Sequence, residues 1–89
     1  MSIVDFIYNG SHTSIQCNLN EKMKDIFQKF KEKAQVGNKN IFYSYNGNNE
    51  INEELSFEEV ANSEDKRRNK MNVIAFENEF EVQKEEKIK

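Results

Sequence analysis

Two side chains in this sequence carry reactive chemistry of their own: His12, the single histidine, and Cys17, the single cysteine. An imidazole beside a thiol can make a base and its nucleophile, and either group can ligate a metal ion. The surroundings support neither role. One His and one Cys do not make a zinc set. His12 falls in the polar stretch Ser11-His12-Thr13 just after Asn9-Gly10, and is read as a solvated turn residue. Cys17 alternates with Ile15 and Leu19, which is a core position rather than the electropositive, partly exposed setting that a reactive thiol needs. Serines occur without a second histidine, so no Ser-His-Asp arrangement can be assembled elsewhere. There is no glycine-rich phosphate loop. No catalytic, metal-binding or cofactor-binding residue is assigned. A chain of 89 residues also has little room for both a core and an enclosed pocket, so an enzyme is not expected.

The charged residues argue about partners. Thirteen Lys and Arg against sixteen Asp and Glu give a net charge of −3, and the isoelectric point is near 5.2. That balance opposes non-specific binding to nucleic acid or anionic lipid. The one basic cluster, Lys66-Arg67-Arg68-Asn69-Lys70, follows Glu64-Asp65 and is read as a solvated loop. The acidic run Glu50, Glu53, Glu54, Glu58 and Glu59 is read as a solvated face that can steer a basic partner. No apolar run approaches the roughly 20 residues of a membrane span, and no signal or transit pattern opens the chain. A single cysteine excludes an internal disulfide. These features predict a soluble intracellular module, cytoplasmic by default, whose partners are proteins.

Hydrophobic spacing supplies the elements. Ile3-Val4-Asp5-Phe6-Ile7-Tyr8 predicts a strand, Asn9-Gly10 a turn widened by Ser11 to Thr13, and Ser14 to Leu19 a second strand of period two. Met23, Ile26, Phe27, Phe30 and Ala34 form one helical stripe, with Asn20 as N-cap, lysines in the last turns and Gly37 beyond the end. Ile41 to Tyr45 predicts a third strand before an Asn46-Gly47 turn. Ile51 and Leu55 predict a short strand and a core plug. Ser56 and Glu59 form a capping box for a short helix whose inner side is Phe57, Val60 and Ala61. Residues 62–70 read as a loop, and Met71 to Phe76 as the last strand. Residues 1–76 form one domain, and 77–89 a charged tail.

A hairpin, a crossing helix, then strand, turn, short helix and strand is the order of the β-grasp fold. Over residues 1–76 the chain resembles a ubiquitin-like domain. The resemblance rests on the early strand running into Asn9-Gly10, on Tyr43-Ser44-Tyr45-Asn46-Gly47, and on the capped segment Leu55-Ser56-Phe57-Glu58-Glu59-Val60-Ala61. The stretch 57–71, with Ala61-Asn62, Asp65-Lys66 and Met71-Asn72, is also loosely similar to ubiquitin-like segments of ciliate proteins. The resemblance implies an α+β fold: a mixed sheet, one main amphipathic helix and one short helix. Departures from the family shape the functional expectation. Conjugated relatives end in Gly-Gly, and the only glycines here are Gly10, Gly37 and Gly47, so covalent conjugation is not expected. The resemblance puts Ser44 where the family's recognition patch has its central Ile, Asn48 where ubiquitin has a chain-forming lysine, and Ile74 at the third apolar position. Ordinary ubiquitin receptors should bind poorly. The acidic motif of PB1-type domains is not evident, and the basic second strand used for Ras-like partners is absent.

Strand alternation then predicts the free face. Val4, Phe6, Tyr43, Tyr45, Met71, Val73 and Ala75 point inward with Ile15, Cys17 and Leu19. Ile3, Ile7, Phe42, Ser44, Ile74 and Phe76 are left on the face without a helix and form the candidate partner-binding set, Phe42 and Ile74 being its anchors. Two other readings stay open: Phe80 and Val82 of the tail fold back over the patch, or the register is off by one and the faces exchange. The predicted function is a non-catalytic interaction module that binds a protein through this face. The alternative is a structural subunit of a large assembly, with the tail ordered on a neighbour.

Overall fold

The computed structural model describes residues 1–37 and 39–77. The predicted tail and its Phe80 and Val82 lie outside the described residues, except that Glu77 belongs to the last strand. Two strands, β1 (Ser2–Tyr8) and β2 (Ser11–Cys17), form an antiparallel hairpin. Its turn is two residues long: Asn9 and Gly10 have φ of 53° and 80°. Two successive left-handed residues match the twist of the flanking strands, so pairing runs right up to the turn. Tyr8 pairs with Ser11 and Ile7 with His12. Ser11 to Thr13 therefore extend the strand rather than widen the turn. β2 also ends at Cys17, which leaves Leu19 42% exposed instead of inward.

Helix α1 (Met23–Ala34) buries Met23, Ile26, Phe27 and Phe30, as its stripe predicts. Its N-cap is Lys22, not Asn20, and no side chain caps it. The free first-turn N–H groups find partners far along the chain: Met23 donates to the Leu55 carbonyl at 2.8 Å and Lys24 to Glu53 at 3.0 Å. The favour is returned to α2 (Phe57–Val60), where Phe57 donates to Glu21 at 3.0 Å and Glu58 to Leu19 at 2.9 Å. Two helix starts thus cap each other through backbone alone. α2 also has its predicted capping box between Ser56 and Glu59. At the other end of α1, Gln35 takes the left-handed C-cap conformation, two residues before Gly37.

Strand β3 (Ile41–Ser44) is one residue shorter than expected, and no strand forms at Ile51. The predicted loop 62–70 holds a helix, α3 (Ser63–Arg68). Asn62 caps it by accepting from the Asp65 N–H at 2.8 Å. Acidic Glu64 and Asp65 occupy its first turn and Lys66, Arg67 and Arg68 its last, the order the helix dipole favours. Strand β4 (Lys70–Glu77) enters the sheet between β1 and β3, parallel to the first and antiparallel to the second. The strand order is β2-β1-β4-β3. α1 crosses one face over a core of Val4, Phe6, Ile15, Cys17, Phe57, Met71 and Val73. Phe6 stacks on Phe30 at 4.4 Å and Phe27 on Tyr43 at 3.8 Å between ring centroids. Fully burying one such side chain contributes about 1.5–3 kcal/mol.

Candidate partner-binding face

The sheet face away from α1 is set by period-two alternation, and the strand pairing places its residues in rows. Ile7 of β1 pairs with Ile74 of β4, and Ile74 pairs with Ser44 of β3. In the next row Phe42 pairs with Phe76. Their rings stack at 6.1 Å with 24° between planes. Phe42 is 40%, Phe76 38% and Ile74 52% exposed, while Ile7 and Ser44 are half-buried. These five residues occupy one end of the face. Ile3 does not join them. It pairs with Gln16 and Lys70 at the opposite end, four residues and about 13 Å along β1 from Ile7.

Asp5 separates the two ends. It is buried despite facing outward, because His12 Nδ1 lies 2.8 Å from one carboxylate oxygen and Ser14 Oγ donates to the other at 3.2 Å. His12 is therefore a strand residue beside Asp5 rather than a turn residue, and its side chain is exposed to solvent as expected. The trio does not make a nucleophile and base, because Ser14 is bonded to the carboxylate rather than to the imidazole. Sequence spacing hides this contact until the turn length is known, since only a two-residue turn brings residue 12 beside residue 7.

Elsewhere Cys17 and several charged groups are occupied structurally. Cys17 is buried, and burial, followed by the charge of Glu21, pushes its thiol up to about 11. Within the basic cluster, Arg68 binds Asp65 at 2.6 Å and Arg67 binds Glu64 at 3.2 Å. Asp65 also accepts from the Tyr45 hydroxyl at 2.6 Å, and that hydroxyl accepts from the Asn62 N–H at 2.9 Å. Burial, then the bond to Asp65, pushes Tyr45 up to about 12. Burial alone would raise the Asp65 carboxyl, but the bonds from Tyr45 and Arg68 more than reverse this and hold it below the usual carboxylate range. Glu54 takes both Lys22 and Lys24. Among the described residues no three His, Cys, Asp or Glu side chains gather as a metal site, and no helix is long and apolar enough to cross a membrane.

No protein-family model matches the sequence, and no curated protein matches it. The fold is similar to one found in the crystal structure of ATBAG1 in complex with HSP70, with a TM-score of 0.69 and 9% identity. The match covers 96% of this chain and 45% of that one, so the chain spans under half the length of its solved neighbour. At that identity the likeness speaks for the fold alone. The fold is β-grasp. It carries one short helix more than the sequence resemblance implies, α3 in addition to α2.

Proposed function

We propose that this chain is a non-catalytic protein–protein interaction module that binds its partner through the helix-free face of the sheet. The observation that carries the reading is the stacked Phe42–Phe76 pair beside Ile74, three exposed large apolar side chains on neighbouring strands. Scattered apolar residues are ordinary on protein surfaces, but a contiguous group marks an interaction site. Aromatic anchors dominate such interfaces. The five residues Ile7, Phe42, Ser44, Ile74 and Phe76 form the site, and Ile3 serves it only if the partner reaches across Asp5. The solved neighbour was captured in complex with HSP70, which supports partner binding as one use of this fold and leaves the partner of this chain to be found. An intracellular setting belongs to the same reading and rests on a single cysteine that is buried and unpaired.

A photo-crosslinking amino acid placed at position 42 or 74 tests the face directly. Crosslinks to one protein are expected from both positions, and not from Gln28 on the exposed side of α1. Phe42→Ala should then weaken binding of that protein by at least tenfold, in line with an anchor worth about 2 kcal/mol, while the circular dichroism spectrum is unchanged. Equal crosslinking from position 28, or unchanged affinity in Phe42→Ala, sinks the reading.

A further inference from the structure

The outer edge of β3 carries a slot where a neighbouring strand starts and then departs. Tyr45 and Asn48 exchange backbone hydrogen bonds of 3.0 and 2.9 Å across the Asn46-Gly47 turn. The ladder stops there, because the Glu50 N–H turns back to the Asn48 side-chain oxygen at 3.0 Å. In an antiparallel pair the groups facing one side recur at every second residue. Since Tyr45 faces Asn48, the N–H and C=O groups of Tyr43 and Ile41 face the same edge. β3 ends the strand order, and no described residue hydrogen-bonds to those groups. Between this edge and the departing chain lies a cleft of about 170 Å³ lined by Ile41, Phe42, Tyr43, Ile51, Glu50 and Glu53. Among the described residues neither Glu50 nor Glu53 is in an ion pair.

A sheet edge with free donors and acceptors is a template for another strand. A second copy of this chain fits it poorly, because two-fold pairing of β3 edges would bring Glu50 and Glu53 of both molecules together. A basic segment fits it well. We propose that the open edge of β3 takes up an extended segment of a partner protein in which apolar residues alternate with Lys or Arg. Alternate side chains of that segment point to opposite faces. The apolar set packs on Phe42, and the basic set enters the cleft beside Glu50 and Glu53. This deepens the partner-face reading and rests on it only through Phe42.

The probe is a capped hexapeptide of alternating valine and lysine, titrated into the full chain and followed by backbone amide NMR. The expected result is a set of shifts over residues 41–43 and 49–53, with slowed hydrogen exchange at the Ile41 and Tyr43 amides. Affinity should fall at least tenfold for the matching valine–glutamate peptide. It should fall as far for a valine–lysine peptide N-methylated at alternate nitrogens, and in the double variant E50K/E53K. The charge reversal Glu58→Lys on α2, exposed and outside the cleft, should leave it within twofold. Failure to bind, equal binding by the N-methylated peptide, shifts confined to another edge, or a doubled native mass from pairing between copies would each overturn the proposal. Peptide binding at the edge without crosslinks from positions 42 and 74 would remove the face reading alone. The opposite pair of results would remove the edge proposal alone.

Discussion

The Tyr43 hydroxyl is buried without a hydrogen-bond partner among the described residues, inside an aromatic core where its ring stacks on Phe27. Burial, with Glu53 second, moves its ionisation far above the usual phenol range. A desolvated hydroxyl that bonds to nothing costs stability. Tyr43→Phe is therefore expected to be neutral or to stabilise by up to about 1 kcal/mol, read as an unchanged or later urea midpoint. A clear loss would show that the hydroxyl is satisfied in solution. Cys17 gives a second test. With its thiol at about 11, the thiolate fraction at pH 8 is on the order of one in a thousand. Ellman's reagent should label it at least a hundredfold more slowly in the folded chain than in urea. The inward place of both residues was legible from alternation alone. The Asp5–His12 contact was not, because hydrophobic period says nothing of how two polar side chains meet across a turn.

At the level of elements, α3 depends on polar contacts rather than on an apolar stripe. The Tyr45 hydroxyl joins β3 to α3 through Asp65 and the Asn62 N–H. Tyr45→Phe removes both bonds and leaves a buried carboxylate short of a donor, at a cost of about 1–3 kcal/mol. Asp65 is held lower in the folded chain than in the unfolded one, so its contribution is complete above the unfolded carboxyl value of about 4 and fades as pH falls through the folded value. Thermal unfolding of Tyr45→Phe should therefore lose less stability between pH 7 and pH 3 than the parent chain does. Ser56→Ala removes the α2 cap and should cost about 1 kcal/mol. α3 escaped the hydrophobic pattern because its buried member is Asp65. The signal that could have found it is the Asn62-x-x-Asp65 cap spacing together with the order of acids before bases. Asn20 is a cap by residue type, but the N–H groups of Met23 and Lys24 at the start of α1 are taken by residues 55 and 53.

Over the whole molecule, the two faces of the sheet should respond oppositely to truncation. Phe30→Ala empties a fully buried site and should cost about 3–5 kcal/mol, whereas Phe42→Ala on the open face should stay within about 1 kcal/mol. Comparable losses at both positions in chemical denaturation would mean that Phe42 belongs to the core. The β-grasp order was legible because the strands alternate cleanly and α1 shows one stripe. The missing strand after Asn48 was not legible, since Ile51 does pack against the core and only its backbone leaves the sheet.

The strand that fills the middle of the sheet is the last described one in the chain. β4 holds β1 on one side and β3 on the other, and Ile3 waits for Asn69 and Lys70. On the ribosome, the hairpin and α1 emerge long before their central partner exists. During that interval one side of β1 has no ladder, and Val4 and Phe6 lack the neighbours Met71 and Val73. Closing so long a loop is slow, and open edges attract other chains meanwhile. Until residues 70–77 are made and free to pair, β1, a central strand of the finished sheet, is thus an unprotected edge.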